Sequence, residues 1–236
     1  MKKMMILALL VLACVVNLQA QPKTVERTLQ VPASNKINLQ LPYGNEIKIT
    51  AWDKKEASIK ATYEINGGRL NDAMLLDFES DDKSARVQAG LDFKKMKTGS
   101  SEDCPQNGQG PTMFRDDDTG NVSYTCTDIS FEIFVPHNAE LTVETQLGNI
   151  ELKGLTGPVS AKSMSGYIDM NWPQEKGAVV SLKTITGEVY SDVDLALANK
   201  EKASIMGYQL KGKVNEGGTI INLESMSNHI YFRNRD

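Results

Sequence analysis

The sequence holds two histidines, His137 and His229. An imidazole works as a general base, or activates a nucleophile, only with a hydroxyl, thiol or carboxylate within hydrogen-bond reach. His137 follows Pro136 in a connection and His229 takes a variable place in a repeated unit, so both are expected on the surface. No spacing suggests a Ser-His-Asp or Cys-His arrangement, and no Gly-rich phosphate loop is present. Glycoside cleavage would need clustered acids on one flank, often with a base or calcium. The outward carboxylates Glu144, Glu151, Asp169, Glu188 and Glu224 do not recur with basic partners in an evident cluster. Asp116, Asp117, Asp118 and Asn121 beside Gly120 offer hard oxygen ligands for calcium, but no later Glu closes the helix-loop-helix pattern, and calcium binding there is left open. Tyr167, Tyr190 and Tyr231 recur in successive units and could stack on sugars or pack at a rim. No catalytic residue, metal site or cofactor is assigned.

Cys104 and Cys126 bracket a Gly-, Pro-, Asn- and Asp-rich segment, CPQNGQGPTMFRDDDTGNVSYTC, with almost no apolar pattern of its own. An even pair in an exported chain points to a disulfide, and no CxxC spacing supports a redox role. On chain-entropy grounds closing a loop of this length stabilises by about 3 kcal/mol.

The elements that must position these residues are repeats. Leu141 to Leu152 (LTVETQLGNIEL), Val159 to Met170 (VSAKSMSGYIDM), Val180 to Ser191 (VSLKTITGEVYS) and Ile221 to Phe232 (INLESMSNHIYF) align as four copies of one unit. Apolar residues hold the first, third and tenth places and Ser or Thr the fifth; the eighth is Gly148, Gly166, Gly187 and Asn228. Asn best tolerates the left-handed backbone that Gly enters freely, so each copy is expected to be strand, tight positive-φ turn, strand. Within the first copy Leu141, Val143 and Thr145 should point inward and Thr142 and Glu144 outward. The eighth-place residues are about 18, about 21 and about 41 residues apart. Half the last gap falls on Gly207, where Ser204 to Leu210 is expected to be a fifth, degenerate rung. Stacked rungs share one core, a β-solenoid or β-helix-like architecture with a β-sandwich as the alternative. In that stack Glu144, Lys162, Lys183 and Glu224 should form a solvated ladder of mixed sign.

Upstream, Val25 to Val31, Lys36 to Leu41, Glu46 to Ala51, Ala57 to Ile65, Met74 to Glu79, Ser84 to Ala89 and Ile129 to Val135 alternate as strands do. Leu39 to Trp52, with Gly44 in its turn, is an outlying relative of the repeat, and almost no helix is expected. Lys2 and Lys3 before the apolar run Met4 to Val16, then Leu18, Gln19 and Ala20, give an expected signal peptide over 1–20. That run is too short to span a bilayer, and a lipoprotein through Cys14 fits less well because Leu12 is a poor upstream residue. Residues 21–236 are expected to form a single β-repeat domain, with an N-terminal β region over 21–135 and regular repeats over 136–236. Removing Lys2 and Lys3 leaves 24 basic against 30 acidic residues, about −6, which argues against nucleic acid.

The stretch FEIFVPHNAELTVETQLGNIELKGLTGPVSAKSMSGYI, with VSLKTITGEV and the closing GGTIINLESMSNHIYFR, resembles the bacterial putative-adhesin family of β-strand-repeat proteins, a domain of unknown function. The resemblance covers about Leu39 to Phe232, is strongest from Phe131, and departs in the insert between Lys97 and Cys126. It implies a right-handed β-solenoid-like fold on an exported envelope protein of a Gram-negative bacterium, and it carries no catalytic or ligand motif to transfer. The expected function is thus non-catalytic: an adhesin or surface scaffold with a glycan or protein ligand and no transmembrane span after signal cleavage. One alternative is an envelope-stress accessory linked to a membrane regulator. Another is a β-helix protein that binds or cleaves polysaccharide. Periplasm, outer membrane and cell surface all stay open as locations, as does the oligomeric state.

Overall fold

The computed structural model describes residues 21–104, 112–115, 120–199 and 207–234. The expected signal peptide with Cys14, the acidic run Asp116–Asp118 and residues 204–206 of the expected fifth rung lie outside the described residues. The first strands are β1 (Lys23–Gln30), β2 (Lys36–Gln40), β3 (Glu46–Trp52), β4 (Glu56–Ile65), β5 (Met74–Ser80) and β6 (Ala85–Leu91). A single helical turn, α1 (Phe93–Met96), follows, then β7 (Thr112–Arg115), β8 (Val122–Thr125) and β9 (Thr127–Pro136). The four copies supply β10 (Glu140–Thr145) with β11 (Asn149–Lys153), β12 (Val159–Ser163) with β13 (Ile168–Asn171), and β14 (Ala178–Thr184) with β15 (Val189–Ser191). After β16 (Ala196–Asn199) and β17 (Tyr208–Val214) comes the fourth pair, β18 (Thr219–Ser225) with β19 (Ile230–Arg233). No helix among the described residues is long and apolar enough to cross a membrane.

The protein is all-β, with two large mixed sheets enclosing one hydrophobic core. Sheet A runs β1-β4-β9-β3-β11-β13-β19-β15, sheet B runs β16-β17-β14-β18-β12-β10-β2-β6-β5, and β7-β8 form a separate hairpin. Every copy sends its first strand to sheet B and its second to sheet A. Alternation decides the facing: Leu141, Val143 and Thr145 are buried, while Thr142 and Glu144 lie on the solvent side. Ile150, Leu152, Ile168, Met170, Ile230 and Phe232 come in from sheet A, with Trp172 fully buried beside them. Each such side chain contributes about 1.5–3 kcal/mol by leaving water.

Neighbouring copies pair in parallel and in register, Leu141 with Val159 and Ile150 with Ile168, so equal places form straight rows. The upstream relative joins them, Ile37 pairing with Leu141 and Ile47 with Ile150. Next comes a rung the repeat did not announce: β6 lies beside β2 and β9 beside β3, both parallel. In that rung the long insert replaces the tight turn. Antiparallel strands flank the parallel part, β5, β4 and β1 on one side and β17 and β16 on the other.

The order of rungs departs from the order of the chain. β18 pairs with β12 on one side and β14 on the other, and β19 lies between β13 and β15. The fourth copy therefore sits between the second and the third. Of the stretch expected as a fifth rung, the described residues Tyr208–Leu210 instead run antiparallel along the outer side of β14, with Leu182 opposite Leu210. From there the chain crosses the start of β14 through Asn215, Gly217 and Gly218, all at positive φ. A Cβ on Gly177 would lie 1.9 Å from the carbonyl oxygen of Gly217, which is why the crossing can be this close. A solenoid coiling in chain order is thus replaced by two mixed sheets with an inserted final copy, and these sheets do not close on themselves.

At the turns, Gly148 alone has the expected positive φ (113°); Gly166, Gly187 and Asn228 do not. The requirement for a small residue there is space rather than handedness. A Cβ on Gly166 would meet the Gly148 carbonyl oxygen at 1.7 Å, one on Gly187 the Asn228 oxygen at 2.1 Å, and one on Gly148 the Gly44 oxygen at 1.8 Å. The fifth-place hydroxyls, buried to a man, stitch these turns. Ser163 Oγ accepts from the Gly166 N–H (2.8 Å) and donates to the Gly148 carbonyl (3.0 Å). Ser225 accepts from Asn228 N–H (3.1 Å) and donates to Gly166 (2.9 Å); Thr184 accepts from Gly187 N–H (3.0 Å) and donates to Asn228 (2.8 Å). Thr145 instead donates within its own turn, to the Leu147 carbonyl (2.7 Å), and the Gln146 and Leu147 amides of that turn donate to the Pro42 carbonyl upstream.

The insert is anchored by Asn66, buried and at positive φ, whose side chain donates to Tyr124 O (2.9 Å) and accepts from Cys126 N–H (3.1 Å). Cys104 and Cys126 are joined in a disulfide with their Cα atoms 5.7 Å apart.

Gly166→Ala is expected to lose about 3 kcal/mol in urea unfolding, because backbone must shift. Gly90→Ala, whose new Cβ would meet nothing nearer than 3.9 Å, should change stability by less than about 1 kcal/mol. Truncation after Gly218 removes β18, the strand of sheet B that joins Ala178–Thr184 to Val159–Ser163, and among the described residues leaves Ala178–Thr184 only β17 to pair with; its amide-exchange protection should fall toward that of a detached hairpin while Glu140–Thr145 stays protected. In a stack built in chain order, losing the last copy would leave Ala178–Thr184 paired directly with Val159–Ser163 and as protected as before.

Candidate functional site

Because the rungs are in register, outward residues at one place become a row across sheet A. At the eleventh place Glu151, Asp169, Tyr231 and Tyr190 lie side by side. Because the fourth copy is inserted between the second and the third, Tyr231 meets Tyr190 of the third on one side and Tyr167 of the second on the other. The Tyr231 and Tyr190 rings stack with centroids 5.3 Å apart and planes 12° from parallel. Tyr167 stands edge-on to Tyr231 (6.0 Å, 81°), and His229 edge-on to Tyr190 (5.5 Å, 72°). The Arg233 guanidinium lies 4.7 Å from the Tyr231 ring centroid and 3.2 Å from an Asp169 carboxylate oxygen. Offset and edge-on pairs of this kind hold aromatic side chains in fixed orientations.

The phenols are equally fixed. Tyr167 OH donates to Glu151 (3.4 Å), and burial, with the nearby Glu46 and Glu151 charges, pushes its pKa up to about 12. Tyr190 OH donates to the Glu188 carboxylate, and that hydrogen bond raises its pKa. Both therefore stay protonated donors at neutral pH. The patch presents ring surface flanked by carboxylates and one guanidinium, a chemistry of stacking and hydroxyl recognition. It is poorly suited to proton abstraction, since His229 Nδ1 already accepts the Glu188 N–H at 3.0 Å. His137 lies at the opposite end of the sheet A strands, with Nδ1 2.8 Å from the Gly154 carbonyl and Nε2 3.4 Å from Asp53.

The outward carboxylates do have basic partners, contrary to expectation: Glu224 with Lys183 (3.1 Å), Asp169 with Arg233 (3.2 Å) and Glu151 with Lys153 (3.1 Å). Two of these pairs cross between copies that are remote in sequence, which spacing alone does not reveal. On sheet B the expected ladder runs Glu144, Lys162, Glu224, Lys183, so its signs alternate in space although they do not in sequence. Its Lys183–Glu224 pair keeps more than a third of each side chain in solvent and contributes little. Among the described residues no group of His, Cys, Asp and Glu could hold a metal ion, and the calcium question falls on residues outside them.

A second concavity, of about 460 Å³, lies where the insert meets the column of turns. Tyr43, Phe93, Leu147, Asn45, Asn228 and Thr125 are among its lining residues, with Tyr43 and Phe93 edge-on at 6.1 Å. Sequence reasoning missed this groove because its walls come from segments far apart in the chain. The one available signal was the insert standing where other copies have a tight turn.

No family model and no curated protein matches the sequence. Among solved structures, the chain is similar to a putative cell adhesion protein from Clostridium sporogenes at 12% identity and a TM-score of 0.49, over 90% of this chain and 99% of that one. It is also similar to a putative adhesin from Bacteroides fragilis at 11% identity and a TM-score of 0.25, over 92% of this chain and 99% of that one. Both scores fall below 0.5, so what this chain does has to come from its own geometry.

Proposed function

We propose that the protein is a non-catalytic, exported envelope protein that presents its sheet faces for adhesion or scaffolding, with a glycan or protein as the surface ligand. On this reading residues 1–20 are a cleaved signal peptide and 21–236 fold as one unit whose parallel half is a short solenoid-like stack. The single observation that carries the reading is the fate of the polar side chains. The hydroxyls of Ser163, Thr184 and Ser225 and His229 Nδ1 are engaged in holding rung to rung, whereas the aromatic patch of Tyr167, Tyr190 and Tyr231 stands on an outer face. A molecule organised in this way spends its polar groups on rigidity and offers a pre-formed surface, which lowers the ordering cost of binding. The Cys104–Cys126 disulfide supports an oxidising compartment.

Whole cells of the native host, treated with an external protease, should lose the full-length protein while a periplasmic marker survives. Protection until the outer membrane is permeabilised would remove adhesion from this reading.

A further inference from the structure

Asn66 opens the sequence Asn-Gly-Gly, with Gly67 and Gly68 behind it. An asparagine followed by glycine is chemically labile, because no side chain shields the glycine nitrogen from the asparagine amide carbon. In the fold that attack is blocked. Asn66 is 1% exposed, its side chain donates to Tyr124 O and accepts from Cys126 N–H, and its own N–H donates to Cys126 O (3.0 Å). Its carbonyl accepts from the Arg69 N–H (3.1 Å). The amide carbon reaches the Gly67 nitrogen only if the side chain leaves both partners, so reaction requires a local opening.

The disulfide governs that opening. The bonds from Asn66 to Tyr124 and Cys126 run to the segment that carries β8 into β9, and Cys126 is itself half of the disulfide. Its partner Cys104 follows Asp103, which is fixed by an ion pair with Arg69 and by the capping box with Ser100. While the bridge is closed, Cys126 stays beside Asn66 even when their hydrogen bonds break, and the segment falls back before the slow attack occurs. Without the bridge, opening gains the entropy of a long loop and becomes more frequent.

Conversion of the amide to an acid would undo the anchor. Asp tolerates positive φ as Asn does, so the backbone at φ 49° survives in the aspartate product, and what is lost is the donor. The Tyr124 carbonyl and the new carboxylate would then face each other as two acceptors across what was a 2.9 Å bond. A hydrogen bond from Arg69, with a smaller one from Asn66, holds the Asp103 carboxyl below the usual carboxylate range, so a second negative charge would be set near the first. Thr125 and Cys126 also line the groove beside the turn column, and release of their segment takes away one of its walls.

We propose that Asn66 is a disulfide-guarded deamidation site: opening of the Cys104–Cys126 bridge lets Asn66 react with Gly67, and the product releases β8 from the end of β4. A dithiol supplies two electrons and two protons to the bridge and is itself oxidised to a disulfide. The Gly67 nitrogen then bonds to the Asn66 amide carbon, the side-chain nitrogen leaves as ammonia with the Gly67 proton, and a cyclic imide remains. Water opens the imide to aspartate or isoaspartate. This goes beyond the binding reading above and does not depend on it.

The test holds three samples at mildly alkaline pH and follows position 66 by peptide mapping and mass spectrometry: the native full chain, the Cys104→Ser, Cys126→Ser chain, and the native chain reduced and unfolded in urea as the reference. The native chain should keep Asn66 while the unfolded chain converts it, and the serine variant should convert it about tenfold faster than the native chain or more. Native chain treated with a dithiol, once thiol titration finds both cysteines free, should match the serine variant. Asn66→Asp reproduces the hydrolysis product; its Val122–Thr125 amides should exchange about tenfold faster than in the native chain, while Val159–Ser163 stays protected. Equal conversion in the native and serine-variant chains, a bridge that no dithiol opens in the folded chain, native protection of Val122–Thr125 in Asn66→Asp, or loss of protection at Val159–Ser163 as well would each overturn the site.

Discussion

In three of the four copies the turn hangs on one buried hydroxyl. Ser163, Thr184 and Ser225 at the fifth place each cap an amide of their own turn and, with the hydroxyl proton, reach the carbonyl of the turn next door. Both groups would otherwise be buried without a partner, at a cost of about 1–3 kcal/mol each. The hydroxyl can serve both only if adjacent turns come almost into backbone contact, which is what excludes a side chain at Gly166 and Gly187. Close turns in turn lock the register: a rung that slipped by one residue would lose the relay and turn its apolar face to solvent.

Strict register is what gives the outer faces their composition. Side chains at one place of the repeat become neighbours about 4.8 Å apart, whatever their distance in sequence. Alternating charge on sheet B and the tyrosine cluster on sheet A are both products of this rule combined with the inserted fourth copy. Glu224 comes to lie between Lys162 and Lys183, and Tyr231 comes to lie between Tyr190 of the third copy and Tyr167 of the second. A chain-ordered stack would have put two lysines side by side.

Much of this was legible in the sequence for a physical reason: alternation of apolar residues has the same meaning wherever it occurs, so Leu141, Val143 and Ile150 announce their own facing. The turn positions were legible as well, but their cause was misjudged. Gly and Asn share a tolerance for positive φ, whereas at Gly166 and Gly187 the governing fact is a neighbour's carbonyl, and that neighbour belongs to another copy. The spatial order of copies could not be taken from spacing, since all four present the same apolar pattern and any pair would stack. The sign sequence Glu144, Lys162, Lys183, Glu224 held the clue, because an order that separates the lysines avoids setting two like charges side by side. Tyr208–Leu210 looked like a rung for the same reason that the true rungs did, and only its antiparallel pairing with β14 distinguishes it. The groove beside Phe93 and Tyr43 had no local signature at all, being assembled from the insert and the turn column.

The insertion of the fourth copy is the central claim, and paired cysteines on the outer face of sheet B test it most directly. Strands in direct contact place equal positions within disulfide reach, whereas a strand in between roughly doubles the separation to about 9.6 Å. With the native cysteines replaced by serine, Lys162→Cys with Glu224→Cys, and Lys183→Cys with Glu224→Cys, should each cross-link under mild oxidation, and Lys162→Cys with Lys183→Cys should not. Cross-linking of the last pair, with failure of the first, would contradict the account.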